Sequence, residues 1–567
     1  MNNIVFLVMR RMRAPLLTLV VVYAITVLGM TLVPGELPDG TPWRMDIFHA
    51  FYFVSFMSTT IGFGEIPHEF SDAQRLWVTF SIYVTVIAWL YAIGTIISLL
   101  QDKTFQRAVA ERLFARRVAR LREPFYLICG YGQTGQTLAR ALTERGQHVV
   151  VLDRDEEKIA MIQLQELPEY VPALAADASR PLVLREAGLP HRCCAGVVAV
   201  TNVNETNLMV AITAKLLHPE IKVICRADSR DIEANMASFG TDEIVDPFES
   251  FAQHLALAFD RPCLYLLHRW LGGEHGALLE EPVYPPREGR WMVCGYGRFG
   301  KAMVEKLARL GVETTVVEAR PDLTGEPPEG YVLGRGTEAE TLIDAGIHEA
   351  VGLIAGTDDD ANNLSIVMTA RQLRPDLFVI QRQNHAENGE LVKTVEANMV
   401  MHPSAIIAER IRVQLGTPLL ATFFEHARQE SNAWACELAS RISALLGEHV
   451  PLVSEIDLDP GSAPAVMHAF GGGERVTVGD IMRDPWDRDR PLRCMVLLIA
   501  RGERHVLLPE EGFVLARDDR LLVTGHDSAI TRLAWNLSHD AALEFVRTGR
   551  AIPQGWIWRH LARRTES

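Results

Sequence analysis

Three glycine clusters in this 567-residue chain stand where backbone atoms, rather than side chains, would do the chemistry. The first is Thr59-Thr60-Ile61-Gly62-Phe63-Gly64, followed by Glu65. Glycine tolerates backbone angles that other residues resist, so successive carbonyls at Gly62 and Gly64 can point the same way. Carbonyls lined up toward an axis can replace the water shell of a dehydrated cation. The second and third are G-x-G-x-x-G turns. One holds Gly130, Gly132 and Gly135 around Gln133 and Thr134; the other holds Gly295, Gly297 and Gly300 around Arg298 and Phe299. Such a turn, ending a strand and opening a helix, offers free amides and a partial positive charge to a pyrophosphate. An acid about twenty residues on, Asp153 or Glu318, can accept hydrogen bonds from ribose hydroxyls. Arg154 is placed to cover the base or a second phosphate, and Asp177 and Thr201 extend the first site.

The elements needed to position these clusters are legible around them. Ala14 to Val33 and Leu76 to Leu100 are uncharged apolar runs, each long enough to span about 30 Å of hydrocarbon. Between them, Asp46 to Ser58 is apolar and aromatic but too short to span, which predicts a re-entrant helix. Arg10, Arg11 and Arg13 precede the first run, and Lys103, Arg107, Arg112, Arg116 and Arg117 follow the second. Basic residues on both flanks place both ends in the cytoplasm. Neither run carries the regularly spaced arginines of a voltage sensor. Gly94, inside the second run, is a candidate hinge or a point of close helix packing. Phe105, Val109, Leu113 and Leu121 recur at helical spacing, so 103–123 reads as a helical linker continuing the second span, ended by Pro124.

Both nucleotide-type turns sit between an apolar strand and a helix, and the likeness between them continues. "LREAGL" at Leu184 answers "LIDAGI" at Leu342, "TNVNETNL" at Thr201 answers "TDDDANNL" at Thr357, and Arg226 answers Arg382. This is a duplication with a period of roughly 160 residues, too long for a solenoid. Where the first copy has Asp177, the second has Gly334-Arg335-Gly336-Thr337. From Val496 the chain alternates strand and turn, as in a small α+β unit.

A net charge of −15 argues against a nucleic-acid partner. The eight cysteines form no C-x-x-C pair and read as reduced, mostly buried thiols, with Cys129 and Cys294 packed in strands. Asp358, Asp359 and Asp360, and Glu510 with Glu511, read as solvated acidic loops without the spacing of a known Ca²⁺ loop. His275 and His402 stand without partners in the sequence, and no metal-ligating set is assigned.

Thr60-Ile61-Gly62-Phe63-Gly64, preceded by Thr59, resembles the T-V-G-Y-G filter of the potassium channel family, and the order span, short helix, filter, span is similar to its two-span members. Phe63 lacks the hydroxyl of the family's tyrosine, and Glu65 stands where aspartate is usual. The two Rossmann-like copies resemble regulator-of-potassium-conductance (RCK) domains, in which 251–282 would be crossover helices and linker, and the segment from Val496 the small C-terminal lobe.

The fold class this resemblance implies is α + α/β: a two-span tetrameric pore followed by two doubly wound RCK domains with a small α+β lobe. The implied divisions are 1–102 pore, 103–123 linker, 124–285 and 286–450 RCK domains, 451–530 lobe and 531–567 tail. It implies a homotetramer in the inner (plasma) membrane, in contact with lipid, with both termini cytoplasmic. It also implies K⁺ in the filter, NAD or another adenine nucleotide such as ADP as the gating ligand, and Ca²⁺ as a further candidate. A membrane-anchored NAD-dependent oxidoreductase suits both fingerprints too, but leaves Thr59–Gly64 unexplained and finds no catalytic acid–base constellation.

Overall fold

The computed structural model describes residues 2–37, 40–62, 68–273, 275–279, 281–447 and 449–550. Phe63, Gly64 and Glu65 of the expected filter, and the end of the tail from residue 551, lie outside the described residues. The chain divides into two compact units, Met1–Arg120 and Leu121–Ser567.

In the first unit, α1 (Asn2–Leu32) and α3 (Asp72–Gln101) are long and apolar enough to cross a membrane, and α2 (Ile47–Ser58) is the short apolar helix between them. Asp46 caps α2 by accepting from the His49 amide at 2.8 Å. Ser71 and Gln74 form a capping box at the start of α3. The buried Gln74 side chain also donates to Val33 O at 3.3 Å, tying the start of α3 to the end of α1. Gly29 lets Trp77 lie flat on α1, since a Cβ there would come within 2.0 Å of the indole. The indole then donates to Thr26 O at 3.2 Å. Met30, Met45, Ala50, Phe53, Val54 and Phe56 make the small core on which α2 rests. α3 runs unbroken through Gly94, and a Cβ there would meet open space. The linker departs from expectation. It does not continue α3: Asp102, extended at ψ 117°, ends α3 and N-caps a separate helix, α4 (Lys103–Val118). Arg11 pairs with Asp102 at 2.7 Å, which favours a break at that residue over a continuous helix.

The second unit carries two six-stranded parallel sheets of one topology. The first is built from β1 (Phe125–Cys129), β2 (His148–Asp153), β3 (Ala173–Ala175), β4 (Cys194–Ala199), β5 (Lys222–Arg226) and β6 (Glu243–Val245), ordered β3-β2-β1-β4-β5-β6. The second repeats this with β7 (Arg290–Cys294), β8 (Thr314–Glu318), β9 (Val332–Leu333), β10 (Ala350–Ala355), β11 (Phe378–Arg382) and β12 (Met399–Met401), ordered β9-β8-β7-β10-β11-β12. The order reverses beside β1 and beside β7, and there the crevice of a doubly wound sheet opens. The near-continuous apolar strands are those of sheets covered on both faces.

After β1 comes α5 (Gln133–Thr143), and after β6 come α6 (Pro247–Asp260) and α7 (Pro262–Gly272). The second copy has α8 (Arg298–Arg309), α9 (Pro403–Gly416), α10 (Pro418–Ala427) and α11 (Asn432–Leu446). The copies exchange helices. Phe248, Phe251 and Leu255 of α6 pack on Phe299, Met303 and Trp291 of the second copy. Ile407, Ile411 and Leu415 of α9 pack with Leu138 and Leu142 of the first. A disulfide joins Cys263 on α7 to Cys436 on α11, against the expectation of eight reduced thiols; α7 packs on α11, which brings these two cysteines together. The other six are free.

The last lobe is a four-stranded antiparallel sheet: β13 (Leu452–Asp457), β14 (Cys494–Arg501), β15 (Arg504–Leu507) and β16 (Arg520–Gly525). α12 (Asp527–Ser538) and α13 (Asp540–Thr548) share its core through Leu533, Leu537, Leu543 and Val546. The division expected at residue 530 therefore falls inside a helix of the lobe.

Candidate functional site

The loop after α2 is wound back on that helix. Thr59 N donates to Ser55 O at 3.2 Å, Thr60 N to Met57 O at 3.1 Å, and Ile61 N and Gly62 N to Phe56 O at 3.1 and 3.4 Å. The amides of this backbone are thus committed to the helix end. Thr60 and Gly62 both take positive φ, 62° and 65°. A left-handed residue at alternate positions lets successive peptide planes face one side. For threonine this conformation is strained, and such strain persists where the surroundings enforce it. The Ser58 hydroxyl anchors the helix end to the Tyr23 hydroxyl of α1, which accepts in turn from the Trp89 indole of α3 at 3.2 Å.

In the first Rossmann copy, β1 ends at Gly130, whose φ is 108°. A Cβ on Gly135 would lie 2.0 Å from Gly130 O, so only glycine lets α5 sit this close to the strand end. A Cβ on Gly132 meets nothing, because that side faces a cavity of about 340 Å³. The second copy repeats each feature: Gly295 at φ 94°, a Cβ on Gly300 at 1.9 Å from Gly295 O, and open space at Gly297, in a cavity of about 760 Å³. No side chain caps α5 or α8, so their first-turn amides are left for a ligand.

The acids do more than the sequence suggested. Asp153 accepts from Tyr131 N at 2.6 Å and from Asp155 N at 2.9 Å; Glu318 accepts from Tyr296 N at 2.5 Å and Arg320 N at 2.7 Å. Each carboxylate therefore staples the glycine turn to the loop after the second strand. A carboxylate keeps further lone pairs for a ribose hydroxyl. Glu318 is the more enclosed, only 6% exposed.

Asp177 lines the first cavity beside Arg154 and Thr201, and Ser179 donates to it through its hydroxyl at 2.7 Å and its amide at 2.9 Å. Those two bonds hold its carboxyl below the usual range. Thr134 and Phe299 line neither cavity: both are buried, on the side of their helices that packs inward. Gln133 is likewise not among the lining residues, whereas Arg298 is.

Sequence reasoning missed several residues. Lys158, Lys301, Arg320 and Arg382 line the cavities. Asn207 and Asn363, both fully buried, each clamp a threonine loop: Asn207 accepts from Thr201 N at 3.0 Å and donates to Arg226 O at 3.0 Å, and Asn363 does the same with Thr357 N at 2.9 Å and Arg382 O at 2.9 Å. Their signal was the asparagine shared by the two repeated segments.

Asp358, Asp359, Glu510 and Glu511 are exposed, as a solvated loop requires, but Asp360 is buried. Asp359 caps the helix Asp360–Leu373, and the buried Asp360 accepts from Asn384, His385 and Asn388. His275 is not alone either; it pairs with Asp527 at 3.0 Å. Among the described residues, no group of three or more His, Cys, Asp or Glu side chains converges as a metal site.

A strained, helix-anchored loop between two membrane-length helices, and two Rossmann-type nucleotide crevices, define a membrane protein with tandem nucleotide-binding units. Comparison with known proteins agrees. The profile of the Ion channel family matches residues 16–102, and that of the TrkA-N domain matches 126–247 and 291–403. The chain thus carries an ion-channel domain followed by two TrkA-N domains.

Among curated proteins it is 27% identical over 204 residues to "Potassium channel protein 1" of Methanocaldococcus jannaschii, a match spanning 36% of this chain and 59% of that protein. It is 30% identical over 150 residues to "Probable potassium channel protein 2" of the same organism, spanning 25% and 44%. An uncharacterised protein of Methanothermus fervidus is 27% identical over 244 residues, 43% of this chain and 37% of that protein. The chain thus matches between about a third and three fifths of the length of these relatives. Solved structures include the "GsuK Channel", at 17% identity and a TM-score of 0.46, covering 97% of this chain and 100% of that one. "GsuK channel bound to NAD" shows 18% identity and a TM-score of 0.44, covering 94% and 99%.

Proposed function

We propose that this protein is a potassium-selective channel, gated from the cytoplasm by an adenine nucleotide bound at its Rossmann crevices. The observation that carries the reading is the loop at Thr60–Gly62. Its alternating left-handed backbone, anchored on a short helix between two spans, suits carbonyl coordination of a stripped cation. The names of the two Methanocaldococcus relatives support potassium as that cation.

Thr59, Thr60, Ile61, Gly62, Phe63 and Gly64 form the filter, four chains close the ring, and NAD or ADP binds the uncapped helix ends. The nucleotide is a regulatory ligand, and no reaction is assigned to it. Moving a gate from 1:99 to 99:1 takes about 5.5 kcal/mol of differential binding. Shared over four equivalent sites, that is roughly 1.4 kcal/mol each, within ordinary allosteric coupling.

The test is potassium flux from proteoliposomes holding the full chain, with and without NAD⁺, NADH, ADP and Ca²⁺. Flux selective for K⁺ over Na⁺, and lost in Gly62→Ala, is expected. Flux that survives this substitution contradicts the pore assignment. NADH turnover without ion flux would favour an oxidoreductase.

A further inference from the structure

The disulfide between Cys263 and Cys436 stands where its surroundings favour opening it. Cys263 is the second residue of α7, and the N-cap of that helix, Arg261, supplies no side-chain cap. The positive end of a helix stabilises a thiolate, and a sulfur that carries charge well leaves readily in exchange with another thiol. On the other side, Cys436 Sγ accepts from Asn432 Nδ2 at 3.7 Å, and Asn432 Oδ1 accepts from Cys263 N at 3.2 Å. One side chain thus bridges the two cysteines through bonds that do not need the disulfide, and keeps them in place for closing it again. Both cysteines are half-buried, which leaves a small thiol a way to them.

The other thiols differ. Cys129, Cys194, Cys225, Cys294 and Cys494 are buried. Burial pushes Cys194, Cys225, Cys294 and Cys494 up to about 12, and raises Cys129 as well. Such thiols hold almost no thiolate at neutral pH and stay out of exchange. Of the six free cysteines, Cys193 is the one partly exposed.

The position of the bond gives it leverage. α7 closes the first Rossmann copy, and α11 closes the second just before the lobe. The 173 residues between the two cysteines include β7 to β12 and the second crevice, so the closed bond makes that copy a covalent ring. Leu267 and Leu271 of α7 and Leu438 and Ile442 of α11 share one core with Leu497 and Leu522 of the lobe's sheet. This packing remains when the bond opens, so opening loosens the junction without unfolding it.

We infer that the Cys263–Cys436 bond is a redox clamp, opened by a low-molecular-weight thiol, that sets how firmly α11 and the lobe behind it are held to α7 and thereby tunes nucleotide affinity at the crevice it encloses. The inference rests on the cytoplasmic placement and the nucleotide reading above, since small thiols keep that compartment reducing and disulfides found there tend to be transient or sensing. The thiolate of a small thiol attacks Cys436 Sγ; the sulfur–sulfur bond breaks and its electron pair leaves on Cys263 Sγ. A second small thiolate attacks the small-thiol sulfur of the mixed disulfide and releases Cys436. Two small thiols become one small disulfide, the two cysteines gain two electrons, and the two thiol protons pass to the released sulfurs.

The test uses the full chain in detergent, with Cys193→Ser to silence the other accessible thiol, equilibrated with reduced or with oxidised glutathione. Without denaturant, alkylation read by mass should show two thiols gained under reduced glutathione and lost again under oxidised. On opening, amide hydrogen exchange along α11 should quicken at least about tenfold, while β1 and β2 keep their rates. Calorimetric titration with NAD⁺ and with ADP should give a dissociation constant that differs at least about fivefold between the two forms for the nucleotide that binds. Cys436→Ser should behave as the reduced form in either buffer, and Cys263→Ala replaces it should that variant misfold.

A bond that reduced glutathione opens only in denaturant overturns the inference. So do unchanged exchange in α11, equal nucleotide affinities in the two forms, or a buffer response that persists in the cysteine variants. If neither nucleotide binds in either form, the nucleotide reading falls, and the thiol state and the α11 exchange rates still decide the clamp.

Discussion

A Cβ built on Gly135 would lie 2.0 Å from the carbonyl oxygen of Gly130, whereas one on Gly132 would touch nothing. The two glycines of one turn therefore separate packing from binding. Gly135→Ala must push backbone against backbone, so it should destabilise the first Rossmann copy by about 1–3 kcal/mol and remove its nucleotide binding. Gly132→Ala should leave the melting temperature nearly unchanged and weaken only the titration, because its methyl enters space that a phosphate would use. Equal losses of stability in the two variants would show that the open side of the turn is structural. The glycines and the acids Asp153 and Glu318 were legible from spacing alone, because the turn they serve is local. The bonds from Tyr131 and Tyr296 amides to those acids were not, since they depend on how the next strand's end faces the turn. Nor could the sequence announce that Thr60, a β-branched residue, adopts a φ of 62°. The inward turn of Thr134 and Phe299 was illegible for a similar reason: it depends on which helix packs outside them.

At the scale of elements, the family resemblance placed crossover helices within 251–282 but did not say which surfaces α6 and α9 bury. Each covers the other copy's sheet, an exchange that periodicity cannot distinguish from packing at home. The disulfide between α7 and α11 was equally invisible, with 173 residues between its cysteines. Thiol counting checks it directly: six reactive thiols are expected on unfolding without reductant, and eight after reduction.

The junction of these helices also buries two histidines. His268 of α7 stacks on Phe424 of α10 at 3.6 Å, next to His254 of α6 at 5.7 Å. Burial, helped by Arg269, Arg428 and Arg410, pushes His254 down to about 4, and burial pushes His268 well down too. Both imidazoles are thus neutral in the fold, and the unfolded chain takes up their protons first. The stability they contribute is complete above the ordinary histidine pKa and is lost as pH falls from about 6.5 toward 4. The slope should reach at most about 1.4 kcal/mol per pH unit for each histidine. His254→Gln with His268→Gln should flatten the decline of the melting temperature between pH 6.5 and 5. A decline as steep as that of the unmodified protein would show that carboxylates elsewhere cause it.

At the scale of the whole molecule, the pore proposed above would be incomplete in one chain. Ile47 and Phe48 on the short helix are 73% and 74% exposed, and Gly62 has no neighbour that a Cβ would touch. A single strand of carbonyls cannot surround an ion, so coordination on all sides requires the same loop from other copies about one axis. The sequence carried this argument as far as the motif and its flanking spans. It could not carry the packing of copies, because faces that meet lipid and faces that meet a neighbour are equally apolar. The expectation is a detergent-solubilised particle of about 250 kDa protein mass, four times the 63.2 kDa chain, measured by light scattering with the detergent subtracted. Potassium flux should co-elute with that species and vanish from any monomer fraction. Flux that follows the monomer would mean that carbonyls of one loop suffice, which the coordination argument forbids. A stable tetramer without flux would leave the assembly intact and remove the pore from it.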